Sequence, residues 1–423
     1  MENLTVPNAM SPLAIWLCYL EQLHMQSIDL GLERVRHVAS ILNLLHPAPY
    51  VITVGGTNGK GTTCRLLEVI LLASGIRVGV YSSPHLLCYT ERVRIQGIEL
   101  PEISHGKALA VIENGRGTTS LSYFEFATLA ALYLFREGSL DVVILEVGLG
   151  GRLDATNVVD ADIAVITCIA LDHTNFLGSD RSSIAWEKAG IFRRGRLAVI
   201  GEPDRPGILD AAAVDRGSIL YALNRDWWWK DDGRHWCWWD SRYELTELMK
   251  PAIPLENAAT ALATISCLPF TVPEGAIRQG LREAMLPGRF QCIGHNPMII
   301  LDVAHNPHAA AYLSWRLTGL PRRGRLLALV GMLADKNIAD TLACLCRQVD
   351  VWYCVSLSVP RAASAATLAS HLDGQVQQFD NVCNAWMHLI ADAAPKDYLL
   401  VFGSFYTVAM VIRLIGKEKY YGE

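Results

Sequence analysis

A glycine-rich stretch with one lysine and three threonines is the part of this sequence whose residue types point most clearly to chemistry. Four glycines lie between residues 55 and 61, so the backbone N–H groups there can turn inward and approach an anion. Lys60 adds a positive charge, and the hydroxyls of Thr62 and Thr63 can serve a metal ion or cap a helix. An apolar strand pattern precedes the stretch and a helical pattern follows it, which suits a phosphate at a helix N-terminus. The stretch predicts a nucleoside triphosphate site for ATP or GTP.

The spacing of this loop differs from the common phosphate-binding motif. That motif has a glycine, four residues and then Gly-Lys-Ser/Thr, whereas here Val54 stands five places before Gly59 and Gly61 is inserted after Lys60. A plain glycine-rich turn is the structural alternative. The agreement of strand, loop, lysine, hydroxyls and helix favours the triphosphate site. Alone, the loop says nothing about the reaction.

Several polar residues follow predicted parallel strands at their carboxyl ends, where ligand sites of α/β proteins form. Ser83 follows one such strand, Glu146 ends a fully apolar one, and His173 follows the next. An isolated buried carboxylate is costly, so Glu146 needs a partner, and Mg²⁺ beside a triphosphate is the best candidate. These three residues form a possible magnesium shell, although a lone histidine is more often structural. By its pattern alone, Lys188 has the character of an exposed lysine near a helix end.

Two other places allow a ligand contact without requiring one. The loop Asp29–Glu33 joins two predicted helices just before the nucleotide strand, and a plain interhelical turn explains it equally well. Phe124 and Glu125 lie in a mostly apolar helix, where core packing explains most of the pattern.

The first 200 residues, which would position these groups, alternate between strands and helices. This rhythm, with about five parallel strands, predicts a doubly wound P-loop domain. Residues 202–250 change character, because six tryptophans fall between residues 227 and 239 among charges of both signs. We favour a packed antiparallel β-meander over tryptophans that stack nucleic-acid bases, since the surrounding charge is mixed rather than basic.

The alternation of strands and helices starts again after a Pro-Gly pair. Asp302 and His305 lie at the end of the first strand that follows, and Arg289 lies shortly before it. We therefore predict an α/β protein of two domains. Residues 1–287 form a P-loop domain with a doubly wound, mostly parallel sheet and a small antiparallel β subdomain. Residues 288–423 form a smaller, Rossmann-like α/β domain.

The composition limits the function classes. A chain of 423 residues should hold two or three domains, and 51% hydrophobic residues suffice for large cores. The net charge of −5 lacks the basic footprint of a nucleic-acid binder. The eleven cysteines are scattered without a CxxC pair, as in a reducing compartment. No apolar run reaches membrane-spanning length and the N-terminus lacks a basic start, so we expect a cytoplasmic protein without a signal peptide.

The chemistry that this residue set suggests is phosphoryl transfer. No Ser-His-Asp arrangement and no convincing cysteine nucleophile emerge from the sequence. Phosphoryl transfer needs positioning and charge neutralisation, and two domains that close on ATP could exclude water and protect a reactive intermediate. A kinase or an ATP-dependent ligase therefore explains the sequence better than a simple NTPase.

Nine motifs, taken in order, resemble the Mur ligase superfamily and, within it, the folylpolyglutamate synthase/dihydrofolate synthase family. The resemblance covers nearly the whole chain. The motifs are Gly56–Thr62 (GTNGKGT), Ser82–Leu86 (SSPHL), Tyr89–Arg92 (YTER), Glu146–Asn157 (EVGLGGRLDATN), Leu171–Thr174 (LDHT), Glu187–Ile191 (EKAGI), Pro287–Phe290 (PGRF), Asp302–Ala309 (DVAHNPHA) and Gly403–Phe405 (GSF).

The resemblance implies an ATP-dependent carboxylate–amine ligase. ATP phosphorylates a carboxylate of a pterin substrate, and the amino group of L-glutamate attacks the acyl phosphate, which releases phosphate and forms an amide. With dihydropteroate the product is dihydrofolate, and with tetrahydrofolates it is a γ-linked polyglutamate tail. We expect both activities, because the Asp29–Glu33 loop resembles the dihydropteroate pocket of bifunctional bacterial enzymes. We also expect a monomer with no nucleic-acid or membrane partner.

The same resemblance implies a role for each matching residue. The expected ATP contacts are Thr57, Asn58, Gly59, Lys60, Gly61, Thr62, Asn257, Arg289 and Asp302. The expected metal ligands are Ser83, Glu146 and His173 for Mg²⁺ and a carbamylated Lys188 for a second Mg²⁺, with a monovalent cation as a further candidate. The expected catalytic residues are Lys60, Lys188, His173 and His305, the last near the γ-phosphate and glutamate. The expected pterin contacts are Asp29, Leu30, Gly31, Leu32, Glu33, Phe124, Arg152, Leu153, Asp154 and Ala155.

The chain departs from the family pattern in three places. Gly55 stands where alanine is common, Asn337 where aspartate is frequent, and Tyr406 where histidine is frequent. The last two belong to the predicted second domain, so glutamate affinity is the property most affected. Three alternatives stay open: a monofunctional folylpolyglutamate synthase, a Mur-type ligase of cell-wall precursors, and a nucleotide-binding regulator without catalysis. The Asp29–Glu33 loop argues against the second, and the complete set of candidate catalytic residues argues against the third.

Overall fold

The computed structural model describes residues 5–24, 29–321 and 324–416. The chain divides into two compact units. The first comprises Met1–Ala170 and Leu177–Met285, and the second comprises Leu171–Phe176 and Leu286–Glu423.

The segment Leu171–Phe176 departs from the predicted division between residues 287 and 288. We expected this segment in the first domain, but it groups with the second unit. Within this unit the Asp172 carboxylate accepts a hydrogen bond from Asn306 at 3.0 Å and pairs with Lys336 at 2.7 Å. A boundary drawn along the chain cannot capture contacts between residues so far apart in sequence.

A mostly parallel sheet forms the frame of the first unit. In the described residues its strands are β1 (Tyr50–Gly55), β2 (Val78–Tyr81), β3 (Val93–Ile95), β4 (Ile98–Glu99), β5 (Val142–Glu146), β6 (Ile163–Ile166), β7 (Leu197–Ile200) and β8 (Ile219–Ala222). They lie in the order β4-β3-β2-β5-β1-β6-β7-β8. All neighbours are parallel except at one edge, where β3 pairs antiparallel with both β2 and β4. The predicted doubly wound, mostly parallel sheet is thus confirmed.

Both faces of this sheet are buried. Neighbouring residues of β1 show this, since Val51 packs into one core cluster and Ile52 into another. Strands buried on both faces read as continuous apolar runs, as these do. The helices that precede residue 285 are α1 (Leu13–Leu23), α2 (Glu33–Ile41), α3 (Lys60–Ala73), α4 (Glu102–Arg116), α5 (Tyr123–Glu137), α6 (Thr174–Leu177), α7 (Arg181–Ala189), α8 (Ile208–Arg216), α9 (Leu255–Ser266) and α10 (Glu274–Glu283).

The tryptophan-rich segment forms a small antiparallel sheet. Its strands are β9 (Trp227–Asp231), β10 (His235–Asp240) and β11 (Glu244–Met249), with β10 in the middle. Burial alternates along β10, with Trp236 and Trp238 in the core and Trp239 only partly covered. On the partly covered face the Trp228 and Trp239 rings stack, with centroids 6.4 Å apart. The packed meander was predicted correctly, whereas β8 within residues 202–250 joins the main sheet instead.

The second unit contains a smaller sheet of its own. The strands after residue 286 are β12 (Gln291–Ile293), β13 (Met298–Leu301), β14 (Leu326–Val330), β15 (Val351–Val355), β16 (Gln375–Phe379) and β17 (Tyr398–Phe402). They lie in the order β12-β13-β17-β14-β15-β16, and only β12 is antiparallel to its neighbour. The helices that follow are α11 (Pro307–Thr318), α12 (Ile338–Ala343), α13 (Ala365–Ala369), α14 (Val382–Asp392) and α15 (Phe405–Ile415). This is the predicted Rossmann-like architecture. Across the part of the chain that the structure describes, no helix has both the length and the apolar character to cross a bilayer.

Replacing Trp236 with alanine should lower the free energy of unfolding of the first unit by about 3–5 kcal/mol. The change removes a fully buried indole that also donates a hydrogen bond to the Met249 carbonyl at 3.0 Å. Trp228→Ala in the same meander is the matched control. It should cost about 0.5–1.5 kcal/mol, the contribution of an aromatic pair, because its ring is only partly buried. Urea unfolding followed by circular dichroism measures both, and equal losses would contradict this assignment of faces.

Candidate active site

The glycine loop between β1 and α3 has a backbone conformation at two positions that strongly favours glycine. Gly56 and Gly59 have φ angles of 142° and 84°, a region that residues with a side chain rarely occupy. A Cβ atom at Gly56 would overlap the Thr167 hydroxyl, and one at Gly59 would overlap the Asn257 side-chain oxygen. The missing side chains therefore let the loop lie directly against its neighbours.

The side chains of the loop are drawn together at the start of α3. The Lys60 ammonium donates to the carbonyls of Gly56 and Thr57, at 3.0 and 3.1 Å. The Thr62 hydroxyl donates to the Gly59 carbonyl at 2.9 Å and accepts a hydrogen bond from the Asn257 amide at 2.8 Å. The structure thus places Asn257, at the start of α9, beside a loop that lies far from it in sequence.

Residues at the end of β6 hold the other side of the loop. Thr57 donates through its backbone to Cys168 at 2.9 Å and through its hydroxyl to Ala170 at 3.0 Å. The Thr167 hydroxyl donates to the Asn58 carbonyl at 2.6 Å. Sequence reasoning missed Thr167 and Cys168. The available signal was their place at the carboxyl end of a parallel strand.

Two of the predicted magnesium ligands lie together at neighbouring strand ends. Ser83 follows β2, and its backbone N–H donates to the carboxylate of Glu146, at the end of β5, at 3.2 Å. Glu146 is 6% exposed. Hydroxyl and carboxylate oxygens are donors that Mg²⁺ prefers, so this pair fits the predicted metal. Among the described residues, no group of three or more His, Cys, Asp or Glu is arranged to hold a metal ion, and the predicted set contains only two residues of those types.

The two other predicted ligands lie in different units. Lys188, on α7, is 4% exposed, and its ammonium donates to the Gly56 carbonyl at 2.9 Å. The sequence pattern around Lys188 alone predicted an exposed lysine near a helix end, and this prediction is wrong. A lysine amine would need conversion to a carbamate before it offered oxygen to a metal. His173 lies in the segment that groups with the second unit, with a φ of 50°.

The predicted pterin loop is connected to the start of α5 by ion pairs. Asp29 forms a hydrogen bond with His24 at 3.0 Å and an ion pair with Arg34 at 2.9 Å, and Arg34 also pairs with Glu125 at 3.0 Å. The next residue back, Phe124, packs its ring against Tyr81 with centroids 6.0 Å apart. The structure therefore brings the loop Asp29–Glu33 and the beginning of α5 into one cluster.

Residues 152–155 belong to a tightly bonded turn. The Asp154 carboxylate accepts hydrogen bonds from the Leu149 backbone at 2.8 Å and from the Thr156 hydroxyl at 2.6 Å. Burial raises the pKa of Asp154, and these hydrogen bonds oppose that effect. Asp154 thus holds the loop together. Arg152 pairs with Glu187 at 2.9 Å. Leu153 is half-buried and Ala155 is buried at the start of a short 3₁₀ turn.

In the second unit, Asp302 and Arg289 lie where the main chain enters and leaves β12 and β13. The Asp302 carboxylate accepts hydrogen bonds from the Phe290 and Ala304 backbones, both at 2.7 Å. Burial raises the pKa of Asp302, while the charge of Arg289 opposes the rise. The Arg289 guanidinium lies over the Phe405 ring, 4.9 Å from its centroid.

His305 belongs to a cluster around Asp172. Its Nδ1 lies 2.8 Å from the Val303 carbonyl and its Nε2 lies 3.5 Å from the Asp172 carboxylate. Burial alone would raise the pKa of Asp172, but the hydrogen bond to His305 and the positive charge of Lys336 hold it well below its usual range. The sequence motifs assigned no role to Asp172, which lies in the motif Leu171–Thr174, or to Lys336, which lies outside the nine motifs.

Two of the residues that depart from the family pattern lie at the starts of helices in the second unit. Asn337 caps α12, with its side-chain oxygen accepting from the Asp340 backbone at 3.2 Å. Tyr406 is 49% exposed in the first turn of α15.

Comparison with known proteins identifies the family. The Mur ligase middle domain matches residues 54–229, and the Mur ligase glutamate ligase domain matches residues 288–405. The dihydrofolate synthase/folylpolyglutamate synthase of Escherichia coli (strain K12) is 55% identical over 413 residues, which cover 98% of this chain and 98% of that protein. The chain belongs to the dihydrofolate synthase/folylpolyglutamate synthase family. It is therefore an ATP-dependent ligase that joins an acid to an amino acid, as predicted.

Two solved structures support the same assignment. E. coli FolC in complex with DHPP and ADP matches with a TM-score of 0.96 at 55% identity, covering 98% of this chain and 100% of that one. A bifunctional folylpolyglutamate synthase/dihydrofolate synthase with Mn, AMPPNP and L-glutamate bound matches with a TM-score of 0.93 at 56% identity, covering 97% and 100%. ATP and a divalent metal ion are thus supported as ligands of this enzyme.

Replacing Gly59 with alanine should weaken binding of an ATP analogue by at least about tenfold, because the new Cβ displaces Asn257 from the loop as well as straining the backbone. Gly75→Ala is the matched control, since Gly75 has a φ of 78° but no atom within 4 Å of an added Cβ. The control should cost only backbone strain, about 1–2 kcal/mol of stability. Calorimetric titration with AMPPNP measures the effect, and equal affinities in the two variants would contradict the role given to the contact with Asn257.

Proposed function

We propose that this enzyme adds L-glutamate to dihydropteroate, giving dihydrofolate, and to tetrahydrofolates, extending a γ-linked polyglutamate tail. The observation that carries the proposal is the similarity over the full chain to E. coli FolC in complex with DHPP and ADP. The second match has an ATP analogue and L-glutamate bound, which correspond to the nucleotide and the amine of this reaction.

The reaction takes place in two steps. A carboxylate oxygen of the pterin substrate attacks the γ-phosphorus of ATP, the bond to the bridging oxygen breaks, and ADP leaves with the electron pair. The glutamate nitrogen then attacks the acyl carbon of the acyl phosphate. The carbon–oxygen bond to phosphate breaks, and the nitrogen loses a proton as the amide forms. Both steps need the reactants held in position and their negative charge neutralised.

The glycine loop is the proposed holder of the nucleotide phosphates. The loop Thr57–Thr62 is fixed by Asn257 and by the end of β6, so its backbone does not have to reorganise when an anion binds at the start of α3. Lys60 would exchange its two backbone carbonyl partners for phosphate oxygens. Asn257, Arg289 and Asp302 are the proposed contacts to the rest of ATP, and His305 is proposed near the γ-phosphate and glutamate.

Mg²⁺ is the proposed metal. We propose that the enzyme binds two Mg²⁺ ions and, in addition, one monovalent cation. Bound Mg²⁺ would neutralise charge on the transferred phosphoryl group. Ser83, Glu146 and His173 are the proposed ligands of the first ion. Lys188, carbamylated, is the proposed ligand of the second. Its burial beside the Gly56 carbonyl supports a role at the nucleotide loop rather than at the surface.

The proposed pterin site is formed by the loop Asp29–Glu33, Phe124 and residues 152–155. Its support is the ion-paired link between Asp29 and the start of α5, and the ring contact of Phe124. Asp154 would act mainly by holding the shape of its loop, because backbone N–H groups and Thr156 already bind its carboxylate.

The division of labour between the domains is also a proposal. Residues 1–287 would bind ATP and the pterin, and residues 288–423 would form the glutamate ligase domain, in line with the family model matched there. We propose further that the enzyme is a cytoplasmic monomer that binds neither nucleic acid nor membrane, in keeping with its net charge of −5.

The purified enzyme with ATP, Mg²⁺ and L-glutamate should release phosphate when either dihydropteroate or tetrahydrofolate is added. Release should require all components, because the acyl phosphate forms only on the pterin carboxylate. A phosphate assay with product identification by mass spectrometry measures it. Release with tetrahydrofolate alone would remove the synthase half of the proposal, and no release with either acceptor would overturn the proposal.

Lys188→Ala should lower kcat by about 100-fold or more while the protein stays folded, because it removes a ligand of the second metal ion. Lys107→Ala on α4 is the control, since Lys107 is exposed. Small carboxylates such as acetate should restore part of the activity of Lys188→Ala by taking the place of the carbamate. Near-normal activity of Lys188→Ala in carbonate-free buffer would contradict the metal-carbamate role.

A further inference from the structure

Arg92 is a buried cation in an uncharged environment. The residue is 8% exposed and ends the short turn Tyr89–Arg92 just before β3. Its Nε donates to His85 Nδ1 at 2.9 Å, and its guanidinium carbon lies 5.7 Å from the centroid of the Tyr89 ring and 5.6 Å from that of the Tyr123 ring. The surroundings of Arg92 are therefore aromatic and imidazole groups.

No ion pair of the described residues involves Arg92. The carboxylate next to it in sequence is already used, since Glu91 accepts hydrogen bonds from the backbone N–H groups of Leu86, Leu87 and Cys88 at 2.6, 2.6 and 2.7 Å. Tyrosine faces attract a guanidinium, but they do not carry a negative charge. A buried charge without a counter-charge costs several kcal/mol in general, so proteins retain one where something compensates it.

Arg94, two residues further on, is paired with a carboxylate, as is usual for a covered arginine. Its side chain is 13% exposed, and its guanidinium contacts the Glu68 carboxylate at 2.9 Å. Glu68 in turn pairs with Arg65 at 2.9 Å. The same short segment thus holds a largely covered arginine that pairs with a carboxylate and a buried arginine that pairs with no carboxylate of the described residues.

Arg92 lies next to both parts of the proposed site in the first unit. On one side, its neighbour Tyr123 precedes Phe124 in α5, and Phe124 belongs to the proposed pterin pocket. On the other side, its hydrogen-bond partner His85 is two residues from Ser83, and the Arg92 carbonyl accepts from the Ser82 backbone at 2.9 Å. The uncompensated cation is therefore adjacent to the pterin residues and to the loop that carries a proposed metal ligand.

We propose that Arg92 binds the carboxylate of the pterin substrate, the group that ATP phosphorylates, and that this carboxylate supplies the counter-charge that none of the described residues provides. This inference rests on the proposed function. A guanidinium offers parallel N–H donors that match a carboxylate. Held in this way, the carboxylate is oriented for attack and its buried charge is paired. Arg92 is a substrate-binding residue here and takes part in no bond-making step.

The test compares binding of dihydropteroate with binding of its neutral carboxamide analogue, in the presence of AMPPNP and Mg²⁺. The wild type should prefer the carboxylate by about 100-fold. Arg92→Met should lose this preference by weakening dihydropteroate binding alone, and Arg92→Lys should keep part of it. Arg94→Lys, the matched control, should keep the full wild-type preference.

Stability of the ligand-free variants separates a binding role from a structural one. Arg92→Met removes an unpaired buried charge, so its melting temperature should equal or exceed that of the wild type. Dihydropteroate should raise the melting temperature of the wild type but not that of Arg92→Met. The proposal would be overturned if the ligand-free melting temperature of Arg92→Met dropped strongly while the preference for the carboxylate stayed intact. This preference would have to be intact both in Arg92→Lys and in refolded Arg92→Met.

Two further outcomes bear on the inference. In the first, inorganic phosphate raises the melting temperature of the wild type as much as dihydropteroate does, and it does so only when Arg92 is present. This outcome would show a phosphate site and overturn the carboxylate assignment. Absence of phosphate release by the wild type would overturn the proposed function and this proposal with it. Normal release together with an unchanged carboxylate preference in Arg92→Met would overturn the proposal on Arg92 alone.

Discussion

The ammonium groups of two lysines converge on one backbone carbonyl, that of Gly56, to which both donate. The elements that surround the glycine loop of the first unit hold these groups in place. Lys60 reaches the carbonyl at 3.0 Å from the start of α3, and Lys188 reaches it at 2.9 Å from α7. Lys60 also donates to the Thr57 carbonyl at 3.1 Å, so both ammonium groups lie against the backbone of the glycine loop. Gly56 can occupy this position only because it has no Cβ to overlap Thr167.

The convergence needs four separate parts of the chain to meet. The loop itself leaves β1, α7 delivers Lys188, the end of β6 anchors the loop through Thr167, and α9 delivers Asn257. Each part is fixed by burial of apolar side chains elsewhere in the same element. The packing free energy of the core is thus what keeps these like charges and polar groups close together.

Local patterns were enough to predict much of the fold. The apolar β-branched runs and their helices predict the doubly wound sheet, because the period of buried residues follows directly from strand and helix geometry. The alternation around Trp236 and Trp238 predicts the meander for the same reason. The hairpin of β3 and β4 and the parallel pairing of β8 with β7 were missed, since pairing partners depend on which strand edges remain open.

The sequence by itself determined the residue types of the site, their order and the family, since motifs are properties of the chain. Only the tertiary structure decided how those residues are used. It shows that Lys188 is buried, that Asp154 holds its own loop, and that Asp172 ties its segment to the second unit. It also shows that Arg94 pairs with Glu68, whereas no carboxylate in the described part of the chain pairs with Arg92. Charge pairing depends on distances between residues remote in sequence, and those distances exist only after folding.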